Sequence, residues 1–262
     1  MHKNNIIDDL SERWDRSGLS KGDTFLLHAN IRRLLLEFKN KKIEINIDLI
    51  IDSFVNVVGD NGTILIPFFN FDFTKTNYFS IENTVSKMGI LSERFRTKYS
   101  KYRTCHPVYS FGVYGKKKNY FSNIDNYSAY GESSPFGILK NLNGKIAILD
   151  LEDQNSMTFY HHIEEINNAH WRYFKKFKGV CENKNGIKEN KEYSIFVRKI
   201  ELKVQTNVNP AGELLWKNGL YEGSKPFTGT GLRVIEMKPM CAFISEIIKK
   251  NEANGILYKI ES

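Results

Sequence analysis

The segment Phe159-Tyr160-His161-His162-Ile163-Glu164-Glu165 holds the residue types best suited to chemistry. Read as a helix, it places His161 three residues from Glu164 and four from Glu165, so either carboxylate shares the imidazole's face. A carboxylate beside histidine fixes the ring tautomer and stabilises the imidazolium formed when the ring takes a proton, which is how a general base is built. His162 and Glu165 repeat the spacing. On spacing alone the two pairs are equivalent, and a solvated surface pair is the alternative for both.

Two further clusters contain chemistry-bearing residues. In Arg103-Thr104-Cys105-His106-Pro107-Val108-Tyr109-Ser110, the adjacent Cys105 and His106 would point to opposite sides of an extended segment, so they do not form a nucleophile–base pair. Cys105 reads as a small buried residue, and His106 as a hydrogen-bonding group of the fold or of a site. In LLHANIRR, residues 26–33, a buried strand passes directly into a helix whose first backbone N–H groups are free to meet a phosphate. No glycine-rich phosphate loop accompanies it.

These residues need a scaffold, and the hydrophobic periodicity supplies one. Helices are predicted over 6–16, from about 30, over 47–58 with Asn46 as cap, over 88–99, 134–142, 156–169 with Ser156 as a possible cap, 211–218 and 239–251. Buried or alternating strands are predicted over 23–28, 63–68, 108–114, 145–151, 232–236 and 256–260. Residues 171–206 alternate like antiparallel strands around the turn ENKNG. The expected architecture is α/β: a mixed, largely parallel central sheet flanked by helices, with an additional antiparallel β segment. One domain over 1–262 is expected, with a β-rich insertion around 171–206.

Composition narrows the classes. With 41% hydrophobic and 13% aromatic residues the chain is globular, and its longest apolar stretches fall far short of the roughly 20 residues of a membrane span. The mixed charges of MHKNNIIDDL give no signal peptide, so a soluble, cytoplasmic protein without a membrane partner is expected. Three widely spaced cysteines without a CxxC exclude a disulfide framework and a thiolate zinc site, and with no HExxH no metal is assigned. The formal charge of +8 favours anionic partners. Nucleic acid is a rival partner, but no zinc finger, RNP-like motif or basic helix supports it. A Cys105 acyl-enzyme is the other rival.

Taken in order, the segments resemble the aminoglycoside 3-N-acetyltransferase family. The similar pieces are GDTFLLHANI, GTILIPFFNF, MGILSERFR, RTCHPVYSFGVYG, GESSPFGILKNLNGKIAILD and TFYHHIEE, with a weaker likeness at TGTGLR. The resemblance implies an enzyme that takes an acetyl group from acetyl-coenzyme A, without metal, and passes it directly to an amine of an amino sugar. It implies His161 as base with Glu164 as its companion, His28, Ala29, Asn30, Ile31 and Ser110 near the coenzyme, and Glu93 and His106 near the acceptor.

The sequence also departs from the family. Ala29 and Asn30 stand where the family has two serines, and Phe68 where it has the threonine of a Pro-Thr-Phe turn. Aminoglycosides are polycations, a poor match for +8, so the expected acceptor is a nucleotide-linked (dTDP) 3-amino-3,6-dideoxyhexose for surface polysaccharide, with an aminoglycoside antibiotic as the alternative. Arg172 and Lys175 would meet the diphosphate, Trp171 or Tyr173 would stack on base or sugar, and Phe69 is a further substrate-binding candidate. A homo-oligomer is allowed.

Overall fold

The computed structural model describes residues 3–261. Its strands are β1 (Thr24–Ala29), β2 (Thr63–Pro67), β3 (Tyr78–Ser80), β4 (Tyr102–Arg103), β5 (Phe111–Gly115), β6 (Lys145–Leu149), β7 (Arg172–Glu182), β8 (Lys188–Arg198), β9 (Val204–Thr206), β10 (Tyr221–Gly223), β11 (Leu232–Glu236) and β12 (Tyr258–Ile260).

The continuous apolar runs of β1, β2 and β6 are buried on both faces, as strands at the centre of a sheet must be. They pair in parallel, Leu26 opposite Leu65 on one side and Ile146 on the other. Antiparallel strands flank this parallel centre, giving the order β10-β11-β6-β1-β2-β5-β4. Alternation along β1 sends Leu26 into the core on one face and Phe25 and Leu27 into the core on the other.

Short-range signals define the helix ends. Asn46 Oδ1 accepts from Leu49 N at 3.0 Å to start the helix Ile47–Val58, and Gly59, at φ 60°, lets the chain leave it. Ser134 caps Pro135–Asn141 through Gly137 N. Other boundaries differ from the sequence expectation for visible reasons. The 88–99 helix starts only at Ile90, because Gly89 sits at φ 100°, and its end, Phe95–Tyr99, is π-helical. The 108–114 strand begins at Phe111, residues before it forming a loop pinned by side chains. The helix carrying His161 is Phe159–Ile166, shorter than 156–169; Ser156 donates to the Glu152 carbonyl instead of capping it.

The β-rich stretch forms its own sheet. β7 and β8 are eleven residues each, antiparallel from Arg172 opposite Arg198 to Glu182 opposite Lys188, with β3 added in parallel. The first residue of β7 follows the His161 helix by a short turn, which brings the two elements together.

Candidate functional site

The helix Phe159–Ile166 lies on the face of the central sheet where Phe159, Tyr160 and Ile163 enter the core. His161 stands at its edge with about 20% of its side chain exposed, and Glu164, one turn on, is 1% exposed. His161 Nδ1 lies 2.8 Å from Glu164 Oε2. The rival pair is not made: His162 Nδ1–H donates to the Tyr130 carbonyl, and Glu165 accepts from Ser128 Oγ at 2.8 Å.

Glu164 is surrounded by donors. Trp171 Nε1 donates to its Oε1 at 2.8 Å, and Arg172 Nε makes a close ionic contact of 2.7 Å with Oε2 without an aligned hydrogen bond. Burial alone would raise this carboxyl, but Arg172, His161 and Trp171 hold it down at about 2, so it is ionised. Burial lowers the His161 imidazole's proton affinity, as does Arg172, against the pull of Glu164 in the other direction. The ring is neutral at physiological pH, with Glu164 ready to stabilise a proton arriving on it. The Tyr130 ring lies 5.3 Å away, and Tyr109 packs on Tyr130 at 4.8 Å, giving the site an aromatic wall.

The roles expected for Trp171 and Arg172 are corrected by these contacts. Trp171 is buried, stacked on Tyr258 at 4.4 Å, and has its indole N–H engaged, so it offers no face to a nucleobase. Arg172 is committed to Glu164, to His161 Nδ1 at 2.8 Å and to the Phe196 carbonyl at 3.0 Å, and is not free for a diphosphate. Tyr173, 40% exposed, remains open to a ligand, and Lys175 projects over Phe177. Phe69 is buried between Tyr109 and Phe111.

His106 belongs to the scaffold. Its Nδ1 accepts from the amides of Val108 and Tyr109 at 3.3 and 3.1 Å, so Nε2 carries the proton, 3.4 Å from the Ser194 carbonyl. Burial pushes it down to about 3. Ser110 Oγ accepts from Arg103 Nε at 3.0 Å and donates to the Phe68 carbonyl at 3.4 Å. Glu93 is bound to Arg96 at 2.6 Å and accepts from Ser86 N at 2.9 Å. It makes no hydrogen bond or ion pair with His161 among the described residues. These three expected site residues are therefore engaged elsewhere.

The strand–helix passage does open onto space. Ala29, Asn30, Ile31, Arg32, Leu35, Leu36, Lys39, Gly89, Ile90, Leu91 and Leu151 line a cavity of about 500 Å³. Its wall is largely apolar, with Arg32 and Lys39 at hand, a composition that fits a thin apolar arm ending in phosphates. The departure at Asn30 has a local use: its side-chain oxygen accepts from Arg32 N at 3.1 Å at the helix start. His28, two residues before Asn30, is buried and held down at about 3 by burial and then Arg233, and its Nε2 has no hydrogen-bond partner among the described residues. Beside the cavity, Asp150 takes Arg33 Nε at 2.8 Å and Phe227 N at 2.9 Å, tying the helix Arg32–Asn40 to the loop 227–231. Gly231, at φ 74°, is required there, since a Cβ would meet Asp150 Oδ1 at 2.3 Å.

Sequence reasoning missed Arg172's place in the His161 pair, because it arrives from a different element and no helical spacing marks it. Tyr130 was missed likewise.

A family model described as aminoglycoside 3-N-acetyltransferase matches residues 26–249. Solved structures share the fold. AAC-IIIb in binary complex with CoASH is 18% identical, with a TM-score of 0.76 over 94% of this chain and 96% of that chain. YokD from Bacillus subtilis is 21% identical, with a TM-score of 0.73 over 95% of each chain. AAC(3)-Xa is 18% identical, with a TM-score of 0.75 over 95% of this chain and 93% of that chain. No curated protein matches the chain.

Proposed function

Because the chain belongs to the aminoglycoside 3-N-acetyltransferase family, we propose that it carries an acetyl group from acetyl-coenzyme A to an amine of an aminoglycoside-type amino sugar, with His161 as base. The observation that carries this reading is the neutral, partly exposed His161 ring held 2.8 Å from the ionised Glu164. The cavity at Ala29–Leu36 fits the donor: Leu35, Leu36, Ile90 and Leu91 would flank the pantetheine arm and Arg32 and Lys39 the phosphates. Bound there, the donor supplies the activated acetyl thioester.

The chain's own residues then move one proton. With its proton on Nδ1, toward Glu164, the ring presents Nε2 to the acceptor amine. As nitrogen bonds to the acetyl carbon, Nε2 takes the amine proton, and the imidazolium is stabilised by Glu164. Collapse of the adduct breaks the C–S bond, and the proton held on Nε2 passes to the departing thiolate, which returns the His161 ring to its neutral form. No thiol of the chain is needed. Burial pushes the Cys105 thiol up, away from the thiolate a nucleophile requires, which weighs against an acyl-enzyme on that residue.

The family assignment supports the antibiotic alternative better than the nucleotide-linked acceptor suggested by net charge. One observation keeps the second reading in view: among the described residues, Arg172 and Arg198 act on His161 against Glu164. That balance suits an acceptor carrying few positive charges. Assaying the purified chain with acetyl-CoA against gentamicin-type drugs and against dTDP-linked amino sugars decides between them. Turnover of the drugs is the expected result. Turnover of nucleotide sugars alone would replace the acceptor, and no turnover of any amine would remove the function.

A further inference from the structure

An ionised carboxylate 2.8 Å from an imidazole normally holds a proton on the ring, raising its proton affinity by one to three units. A base that is already protonated can accept nothing. The Glu164–His161 pair therefore needs an offset; burial of the ring supplies the larger part, and the contacts of Arg172 add the rest.

We propose that Arg172 is the positioning residue that keeps the His161 imidazole free of a proton at neutral pH, by cancelling the Glu164 charge and by competing for Nδ1. The proposal rests on the base role assigned above. The guanidinium is anchored independently of the pair, with Nη1 donating to the Phe196 carbonyl at 3.0 Å and Nη2 reaching Thr206 Oγ1 at 3.4 Å. From that anchor Nε meets Glu164 Oε2 at 2.7 Å and Nη2 meets His161 Nδ1 at 2.8 Å. Among the described residues, the charged and titratable groups that act on the ring include Glu164 on its own helix, Arg172 on β7, Arg198 opposite Arg172 on β8, and Tyr130, whose ring lies 5.3 Å away. One negative charge stands against two positive ones, so an imidazolium is disfavoured until a substrate proton arrives.

The same geometry divides the neutral ring between two tautomers. A carboxylate only accepts and a guanidinium only donates, yet both lie 2.8 Å from one nitrogen. A proton on Nδ1 satisfies Glu164 and leaves Nε2 free to act as base. A bare Nδ1 satisfies Arg172 and places the proton on Nε2, where the ring is inactive. Arg172 thus keeps the ring neutral at the cost of populating the inactive tautomer.

The test combines ¹⁵N NMR of His161 with the pH profile of kcat/KM in the wild type, Arg172→Gln and Arg172→Lys. In Arg172→Gln the His161 titration and the acidic limb of kcat/KM should both move up by about a unit, and the neutral ring should carry its proton on Nδ1. Arg172→Lys should leave the limb near its wild-type position, because the charge remains, while removing the Nε2–H tautomer, because the fork is gone. Equal losses at every pH with an unmoved titration would reduce Arg172 to a structural residue and overturn the proposal. If Arg172→Gln does not fold, the wild type decides: a neutral ring protonated only on Nδ1 excludes the competition. Wild-type turnover in His161→Asn would end the base role instead, while the NMR titration still reads what Arg172 does to the ring.

Discussion

The indole N–H of Trp171 donates to Glu164 Oε1 at 2.8 Å, seven residues along the chain and from the far side of the pair that holds His161. It gives Glu164 a second support, on the oxygen that neither His161 nor Arg172 contacts. Trp171→Phe keeps an aromatic ring against Tyr258 but leaves that oxygen buried without a donor. A lost hydrogen bond to a charged group is worth about 1.5–3 kcal/mol, so kcat should fall roughly tenfold to a hundredfold with the acetyl-CoA KM little changed. Steady-state kinetics on a variant with wild-type circular dichroism measures this. An unchanged kcat would mean that the Glu164 carboxylate does not need its indole partner.

Acidity tests the neutral ring. The His161 imidazole is held below its usual 6.5 by burial and by Arg172. Activity that depends on the unprotonated ring should persist as pH falls past 6.5 and decline only at lower values. The kcat/KM profile measures that limb directly. A midpoint at or above 6.5 would mean that Glu164 outweighs the arginines.

Helical spacing made a His–Glu pair legible but left His161–Glu164 and His162–Glu165 equivalent, and only the resemblance to the family chose the first. The central strands were legible because short apolar runs bounded by turns, such as FLLH and KIAIL, suit a sheet's interior, whereas the short strands Tyr78–Ser80, Tyr102–Arg103 and Tyr221–Gly223 carry no such run. Long-range side-chain contacts left no such mark. Trp171 and Arg172 follow a turn and read as ordinary strand residues, so their partners, the Glu164 carboxylate and the His161 ring, depend on how β7 docks on a helix. For His106 the sequence left a role in the fold and a role in a site both open, and the two amides that fill its Nδ1 become visible only when the loop is folded.

The donor cavity gives a test away from the base. Leu36 and Ile90 stand on its lip, 46% and 65% exposed, so changing them disturbs no core packing. Leu36→Glu removes apolar surface and adds a negative charge where an anionic coenzyme would pass. The KM for acetyl-CoA should rise about tenfold, with kcat at saturating donor within about twofold of wild type, the pattern of lost uniform binding. A fall in kcat with KM unchanged would place the donor elsewhere.

The buried histidines outside the pair tie stability to pH. His28 and His106 are both pushed down from 6.5 to about 3, largely by burial. Since the folded values are depressed, the unfolded chain takes up these protons first, and stability is complete above about 6.5 and lost progressively as pH falls toward about 3. By pH 4 each ring should have removed about 3 kcal/mol, at 1.36 kcal/mol per unit between the two states. In His106→Asn the side-chain oxygen can still accept from Val108 N and Tyr109 N, but nothing titrates. Urea denaturation of the variant between pH 7 and pH 4 should therefore show a shallower loss than wild type, by about the share of one histidine. Parallel curves would mean that His106 is charged in the folded protein and that the amides of Val108 and Tyr109 do not hold its Nδ1 bare.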